Sequence, residues 1–242
     1  MFDQDAYHDF VLDYKSPEGK GVVGFFPEKR KLASGRESGW YWNGRVLLAY
    51  ERPLLKLADF VLSYCQGNGI MPDYFLNVPE GVNMLTNHLN IELGGRQVMV
   101  RANPKTHGDP MDAQFIGPAE KGDKVVIVED VTTTGGSLMG TLTRCLDANL
   151  DVIATLCECN RMECAAEGKG EERVDFDFSV AEYVSRARHR GVQHHALTDA
   201  EKIVPAAFEL WTPEEDGLKE EIAQVLKEEY EDHGIIPMEL EV

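Results

Sequence analysis

Glu129 and Asp130 stand side by side at the end of an apolar run, "KVVIVED", and the chain continues at once as "VTTTGGSLM". Adjacent carboxylates accept hydrogen bonds from hydroxyl groups and repel phosphate. The turn that begins at Thr132 does the opposite. Thr133, Thr134 and Ser137 offer hydroxyls, while Gly135 and Gly136 let backbone N–H groups come close to an anion at the start of a helix. A ligand that suits both halves carries a phosphate and, a short way along, a diol. Ribose 5-phosphate is such a ligand, with the acids on its hydroxyls and the turn on its phosphate. The stretch lacks the Walker lysine and the G-x-G-x-x-G spacing, so neither of those nucleotide loops describes it.

Cations that could meet further negative charge lie on both sides of this stretch. "VRANPKTHGDP" brings Arg101, Lys105 and His107 into one Pro/Gly-rich loop, and "ECNRMECA" carries Arg161. Taken alone, each reads as solvated surface. Their place in the order of elements gives them more interest.

Those elements alternate. "RPLLKLADFVLSYCQ", 52–66, has apolar residues at helical spacing and stops before Gly67 and Gly69. Residues 73–78 and 96–101 read as short strands, with a helix between them over "GVNMLTNHLNIELGG". "KVVIVED" is apolar on both faces, as a central parallel strand requires. "GSLMGTLTRCLDANL" follows as a helix and "DVIATLCEC" as another buried strand. The pattern predicts an α/β fold, a doubly wound and mainly parallel sheet flanked by helices. Ligands of such sheets gather at the carboxyl ends of the strands, here Val78, Arg101 and Glu129 onward. The late stretch "EEDGLKEEIAQVLKEEYED" reads as a peripheral packing helix with Ile222, Val225 and Leu226 on one face. The pair His194-His195 reads as a loop or strand edge without catalytic role.

Composition narrows the classes. The chain has 242 residues, 43% of them hydrophobic and 27% charged, within the ordinary range for globular proteins. Acids outnumber Lys plus Arg by 42 to 24, a formal net charge of -18, which argues against nucleic acid or an anionic membrane as partner. No apolar run reaches the roughly 18 to 20 residues of a membrane span, and no secretory signal is expected. The five cysteines lack metal-ligand spacing and read as reduced thiols of a cytoplasmic protein.

The stretch from Lys124 to Met139 resembles the phosphoribosyl pyrophosphate motif of type I phosphoribosyltransferases: apolar strand, two acids, T-T-G-x-S-like turn. "VRANPKTHGDP" is similar to the R-x-x-x-K-x-H-G loop of orotate phosphoribosyltransferases. "KLASGRESGWYWNGR", 31–45, is similar to that family's L-x-S-G-R-x-S-P-Y-x-x-N/D segment, and the Arg161 stretch to its D-R-Q-E. The likeness runs over about residues 25 to 205.

The resemblance implies transfer of phosphoribose from phosphoribosyl pyrophosphate to orotate, giving orotidine 5'-phosphate and pyrophosphate. It places Glu129 and Asp130 on the ribose hydroxyls and Thr132, Thr133, Thr134, Gly135, Gly136 and Ser137 on the 5-phosphate. Tyr41 and Trp42 would help enclose the base, and Arg161 would contact the orotate carboxylate. Arg101 and Lys105 would stabilise the leaving pyrophosphate, with His107 hydrogen-bonding or protonating it. Mg²⁺ would be bound mainly through the substrate. The family pattern also implies a homodimer, and one domain over 1–242 made of a hood (1–48), a core (49–205) and a peripheral C-terminal extension (206–242).

Ala33, Glu80 and Ala102 replace lysines frequent in the family, and Gly39 a proline. The lost positive charge should weaken binding of a polyanionic substrate unless Mg²⁺ or other residues compensate. Two alternatives stay open at this point: a salvage enzyme for a purine or another base, and a non-catalytic protein that senses phosphoribosyl pyrophosphate.

Overall fold

A computed structural model of the chain describes residues 1–168, 172–186, 191–213 and 217–242. The N-terminal part contributes α1 (Gln4–Asp13), the ribbon strands β1 (Val23–Lys31) and β2 (Glu37–Trp42), α2 (Arg45–Leu48) and α3 (Glu51–Gly67). The middle follows as β3 (Tyr74–Asn77), α4 (Asn83–Glu92), β4 (Met99–Val100), α5 (Pro110–Gln114), β5 (Phe115–Ile116), β6 (Lys124–Thr132) and α6 (Gly136–Asp147). The remainder is β7 (Asp151–Asn160), β8 (Cys164–Glu167), β9 (Val174–Ser179), α7 (Val180–Arg186), β10 (Gln193–Asp199), α8 (Ala200–Leu210) and α9 (Leu218–His233).

The centre is a four-stranded, wholly parallel sheet in the order β10-β7-β6-β3. Its apolar strands explain their own position. On β6, Val126 and Val128 enter one hydrophobic cluster while Val125 and Ile127 enter a second. A strand greasy on both faces is stable only where helices or other layers cover both. The helix expected at 52–66 is α3, the one after the acids is α6, and the buried strand "DVIATLCEC" lies within β7.

The strand expected at 96–101 takes a different form. Only Met99 and Val100 pair, antiparallel to Ile116 and Phe115 on β5, outside the central sheet. The side chain of Asn77 makes the connection to β3 instead. Its Oδ1 accepts from the Val100 amide at 2.8 Å and its Nδ2 donates to the Val100 carbonyl at 3.3 Å. A buried amide side chain thus stands in for a main-chain ladder, and the segment that follows stays beside the sheet rather than inside it.

The helix expected over 214–232 is α9 from Leu218 onward, residues 214–216 lying outside the described residues. It packs on the β1–β2 ribbon and buries Ile222, Leu226, Tyr230 and also Glu229. Gly39 makes that packing possible. A Cβ there would come within 2.6 Å of Val225 Cγ1 and 3.2 Å of Leu226 Cδ2, and its N–H donates to Glu229 Oε2 at 2.8 Å. A proline at this place would clash with the helix and remove the donor. The glycine is therefore matched to the C-terminal helix.

Four of the five cysteines are buried and all are free thiols. No helix among the described residues is long and apolar enough to cross a membrane. His194 and His195 lie on β10, an edge strand of the sheet.

Candidate active site

At the carboxyl end of β6 the chain opens a cavity of about 240 Å³. Glu129 and Asp130 form one wall, and Thr133, Thr134 and the Gly135–Ser137 backbone form another. Tyr41, Ser34 and Arg45, from the ribbon and the turn after it, close the third side. Residues far apart in sequence meet here because β3 and β6 end on the same edge of the sheet and the separate β1–β2 ribbon covers that edge.

The turn has the backbone that its composition predicts. Gly135 is in the left-handed region (φ 78°) and sits just before α6, so the chain turns sharply with its amides free at the helix start. A Cβ on Gly135 would lie 2.8 Å from Val180 Cγ1, so the turn is also pressed against α7.

The acids are held in a charge-poor surrounding. Burial, and then the neighbouring Asp130, raise the pKa of Glu129 well above the usual carboxylate range. Asp130 is raised by burial too, opposed by a hydrogen bond from the Val131 amide and by Arg45. Glu129 Oε2 is buried without any hydrogen-bond partner in the protein. A buried acceptor left unsatisfied beside a cavity is costly, and a small shift of the Glu129 side chain would offer it to a donor-bearing ligand. Asp130 is pressed against the backbone of 79–81: a Cβ on Gly81 would lie 2.8 Å from its carboxylate.

Six of the residues predicted from sequence take other places. Trp42 is buried, and its indole N–H donates to Glu158 Oε2 at 3.2 Å. Only Tyr41, facing the opposite side of β2, reaches the cavity. Thr132 is also buried, with Oγ1 3.2 Å from Cys157 Sγ and 3.3 Å from His194 Nε2. Thr155 Oγ1 meets the other ring nitrogen of His194 at 2.9 Å, and burial brings that histidine down to about 4, so the ring is neutral. This polar cluster supports the turn from behind, and the part of the turn that lines the cavity starts at Thr133.

Arg161 is the larger correction. It is 1% exposed and does not line the cavity. Nε donates to Glu163 Oε1 (2.5 Å), Nη2 to Glu229 Oε1 (2.7 Å) and Ser38 Oγ (2.7 Å), and Nη1 to the Trp40 carbonyl (3.3 Å). The guanidinium also lies 4.1 Å above the Trp40 ring. Its donors are spent inside the protein, which leaves no fork for a substrate carboxylate.

Arg101, Lys105 and His107 lie outside the cavity, Lys105 and His107 in the exposed part of the segment after β4. That segment is rooted firmly. Arg101 N donates to Gln114 O, Arg101 Nε to Asp112 O, and Lys105 N to Ala113 O. Arg144, on the same α6 that starts at the phosphate turn, donates to Gln114 Oε1 (2.7 Å), Gln114 O (3.1 Å) and Arg101 O (2.8 Å). Ala102 borders a shallow depression shared with Gly136 and Ser137. The loop root is thus next to the Thr/Gly/Ser turn, while the cationic side chains do not line the cavity.

No model of a protein family matches the chain. The orotate phosphoribosyltransferase of Thermococcus kodakarensis is 34% identical over 139 residues, 57% of this chain and 74% of that protein. The one from Rhodopirellula baltica is 31% identical over 153 residues, 60% of this chain and 78% of the relative. The chain belongs to the orotate phosphoribosyltransferase family. Solved structures agree on the fold. The orotate phosphoribosyltransferase of Francisella tularensis superposes with a TM-score of 0.64 at 17% identity, covering 95% of this chain and 99% of that one. An adenine phosphoribosyltransferase from Leishmania donovani gives 0.55 at 15% identity and 85% of each chain, so the fold by itself does not select the base.

In this orotate phosphoribosyltransferase family member, sequence reasoning passed over Arg45, Gly81 and Glu158. Glu158 lies behind Trp42, fully buried, with Oε1 unpartnered and its pKa raised well above the usual range by burial and then by Asp130. Arg45 had a findable signal: a site with two buried acids needs a cation, and Arg45 directly follows the aromatic segment that closes the cavity.

Proposed function

We propose that the chain transfers phosphoribose from phosphoribosyl pyrophosphate to orotate, giving orotidine 5'-phosphate and pyrophosphate, as a homodimer in the cytoplasm. The observation that carries this reading is the cavity in which buried, partly unsatisfied carboxylates face a Thr/Gly/Ser turn at a helix start. The acids take the ribose diol; Thr133, Thr134, Gly135, Gly136 and Ser137 take the 5-phosphate. The C1–O bond to pyrophosphate breaks as a ring nitrogen of the base bonds to C1, and the nitrogen's proton leaves with the products. Lys105 and Arg101 stabilise charge on the departing pyrophosphate, and His107 donates a hydrogen bond or proton to it. The free thiols support a reducing compartment. A homodimer would let the Lys105 loop serve a neighbouring site, in keeping with its position outside the cavity of its own chain.

The donor set suits Mg²⁺ at its edge only. Asp130 and the unpartnered Glu129 Oε2 are hard oxygen donors, and among the described residues no three His, Cys, Asp or Glu side chains converge on a metal position. Asp130 and Glu129 would touch the ion or its waters, with substrate oxygens supplying the rest. When bound, the ion neutralises charge on pyrophosphate.

Pyrophosphate release, measured with Mg²⁺ and a panel of orotate, adenine, hypoxanthine and xanthine, tests the reading. Turnover is expected with orotate. Turnover confined to a purine would reject it, and tight binding of phosphoribosyl pyrophosphate with no turnover on any base would point to a sensor instead. Gly135→Ala addresses the turn. A non-glycine residue in the left-handed region costs the fold about 1–2 kcal/mol and the Val180 contact adds to it, so the turn should shift off its present path and the KM for phosphoribosyl pyrophosphate should rise. An unchanged KM would show that the turn does not hold the phosphate.

A further inference from the structure

The cavity needs a positive group for any ligand that brings a carboxylate into it, and Arg161 cannot serve. Among the described residues that line the cavity, Arg45 is the one Lys, Arg or His side chain. It opens α2, its side chain 67% exposed, with Nε 3.7 Å from Asp130 Oδ2. That contact is long, one-sided and open to solvent, the kind of pair that holds a side chain weakly. The guanidinium is therefore free to change partners once Asp130 is occupied by ribose hydroxyls. Tyr41, four residues earlier, lines the same cavity and is 42% exposed, so a flat ring and the cation are offered to one ligand. A planar heterocycle bearing a carboxylate fits the two together: the ring against Tyr41, the carboxylate in the guanidinium fork.

We infer that Arg45 is the residue that recognises the carboxylate of the base in this chain, in place of Arg161. The inference rests on the proposed orotate reading and deepens it. Pyrophosphate is the competing anion for Arg45, but Arg101, Lys105 and His107 all sit on the segment after β4, whereas Arg45 belongs to the segment that carries Tyr41 and Ser34. As Asp130 takes up the diol, Arg45 is released toward the base, so the two halves of the substrate set are felt in sequence.

Orotidine 5'-phosphate and uridine 5'-phosphate differ only by the ring carboxylate, so the ratio of their dissociation constants reads this interaction without turnover. Titration calorimetry on the full chain should show the wild type preferring orotidine 5'-phosphate by about tenfold or more, the value of a charge-assisted fork. In Arg45→Met the ratio should fall to near one through weaker binding of orotidine 5'-phosphate. Arg45→Lys, which keeps the charge and loses the fork, should fall between. An unchanged ratio in Arg45→Met, or equal weakening of both nucleotides, would overturn the assignment and leave the family reading intact. A wild type that binds both equally would do the same. Failure of the wild type to bind either nucleotide or to turn over orotate would remove the underlying reading, and this one with it. Because Arg45 is exposed, the variant's thermal unfolding should match the wild type and separate a lost contact from a lost fold.

Discussion

Arg161→Met should lower the melting temperature by roughly 6–20 °C, far beyond any change in substrate affinity. Removing one member of a buried charge network leaves its partners uncompensated, at about 3–5 kcal/mol, and each kcal/mol moves a chain of this size by about 2–4 °C. Two buried carboxylates, Glu163 and Glu229, point at this guanidinium. They respond differently. Glu163 lies between Arg161 and Arg36; burial alone would raise its pKa, but the two guanidiniums outweigh it and hold it below the usual carboxylate value. Glu229 faces one guanidinium, Arg161, with the Gly39 N–H and Ser38 also favouring its charged form, and burial still wins, raising it. The sign of the pH effect follows from Glu163. Its folded pKa is depressed, so its stabilisation is present above the ordinary Glu value and is lost as pH falls through the lower folded one. Acid titration of the melting temperature should therefore be shallower in Arg161→Met below about pH 4.5 than in the wild type. A variant that melts normally but loses affinity for orotate would return Arg161 to the substrate.

The misplacement of Arg161 shows where reading from sequence runs out. β6 was legible because burial on both faces is written in its own residues, and the turn after it because glycine and hydroxyl chemistry is local. Tyr41 and Trp42 could have been separated by the same local rule: alternation puts Trp40 and Trp42 on the inner face of β2 and Tyr41 on the outer. Arg161 has no such local rule. Its partner Glu229 lies 68 residues later, on a helix whose buried glutamate looks like one more solvated charge among many. Gly39 belongs to the same long-range match, since only glycine admits α9 at that point while keeping the N–H that Glu229 accepts. The strand at 96–101 failed for a related reason. Asn77, inside an otherwise apolar strand, diverts Val100 from the ladder, and an asparagine in a buried strand announces a partner without saying which. Local pattern wrote the sheet and the Thr/Gly/Ser turn; pairings between distant polar groups decided which cations line the cavity.

Lys105→Ala should reduce kcat/KM for pyrophosphate release by about 10²- to 10³-fold, the loss usual for one preorganised donor aimed at developing charge. The melting temperature should stay near the wild-type value, because Lys105 is exposed and its place in the fold is secured by its backbone N–H on Ala113, which alanine keeps. This separation of effects is the reverse of the one expected for Arg161. Lys105 lies outside the cavity, so its contribution requires its side chain and the loop tip beyond it to move in, or the neighbouring site of a homodimer, while its backbone N–H stays on Ala113 O. Arg144 ties Arg101 O and Gln114 to α6, so a closure would leave the root in place and move the tip. Gly108, at φ 95° with no neighbour within 4 Å of a Cβ, is the point at which the tip can swing without strain. A residue that acts only after closure touches the transition state more than the bound substrate. The fall should therefore lie mainly in kcat, with a smaller change in the KM for phosphoribosyl pyrophosphate. Lys105→Arg should recover part of it by keeping a cation of similar reach. Full turnover by Lys105→Ala would mean that pyrophosphate leaves without this loop, and the charge it carries away would have to be met by Arg45 or by the metal.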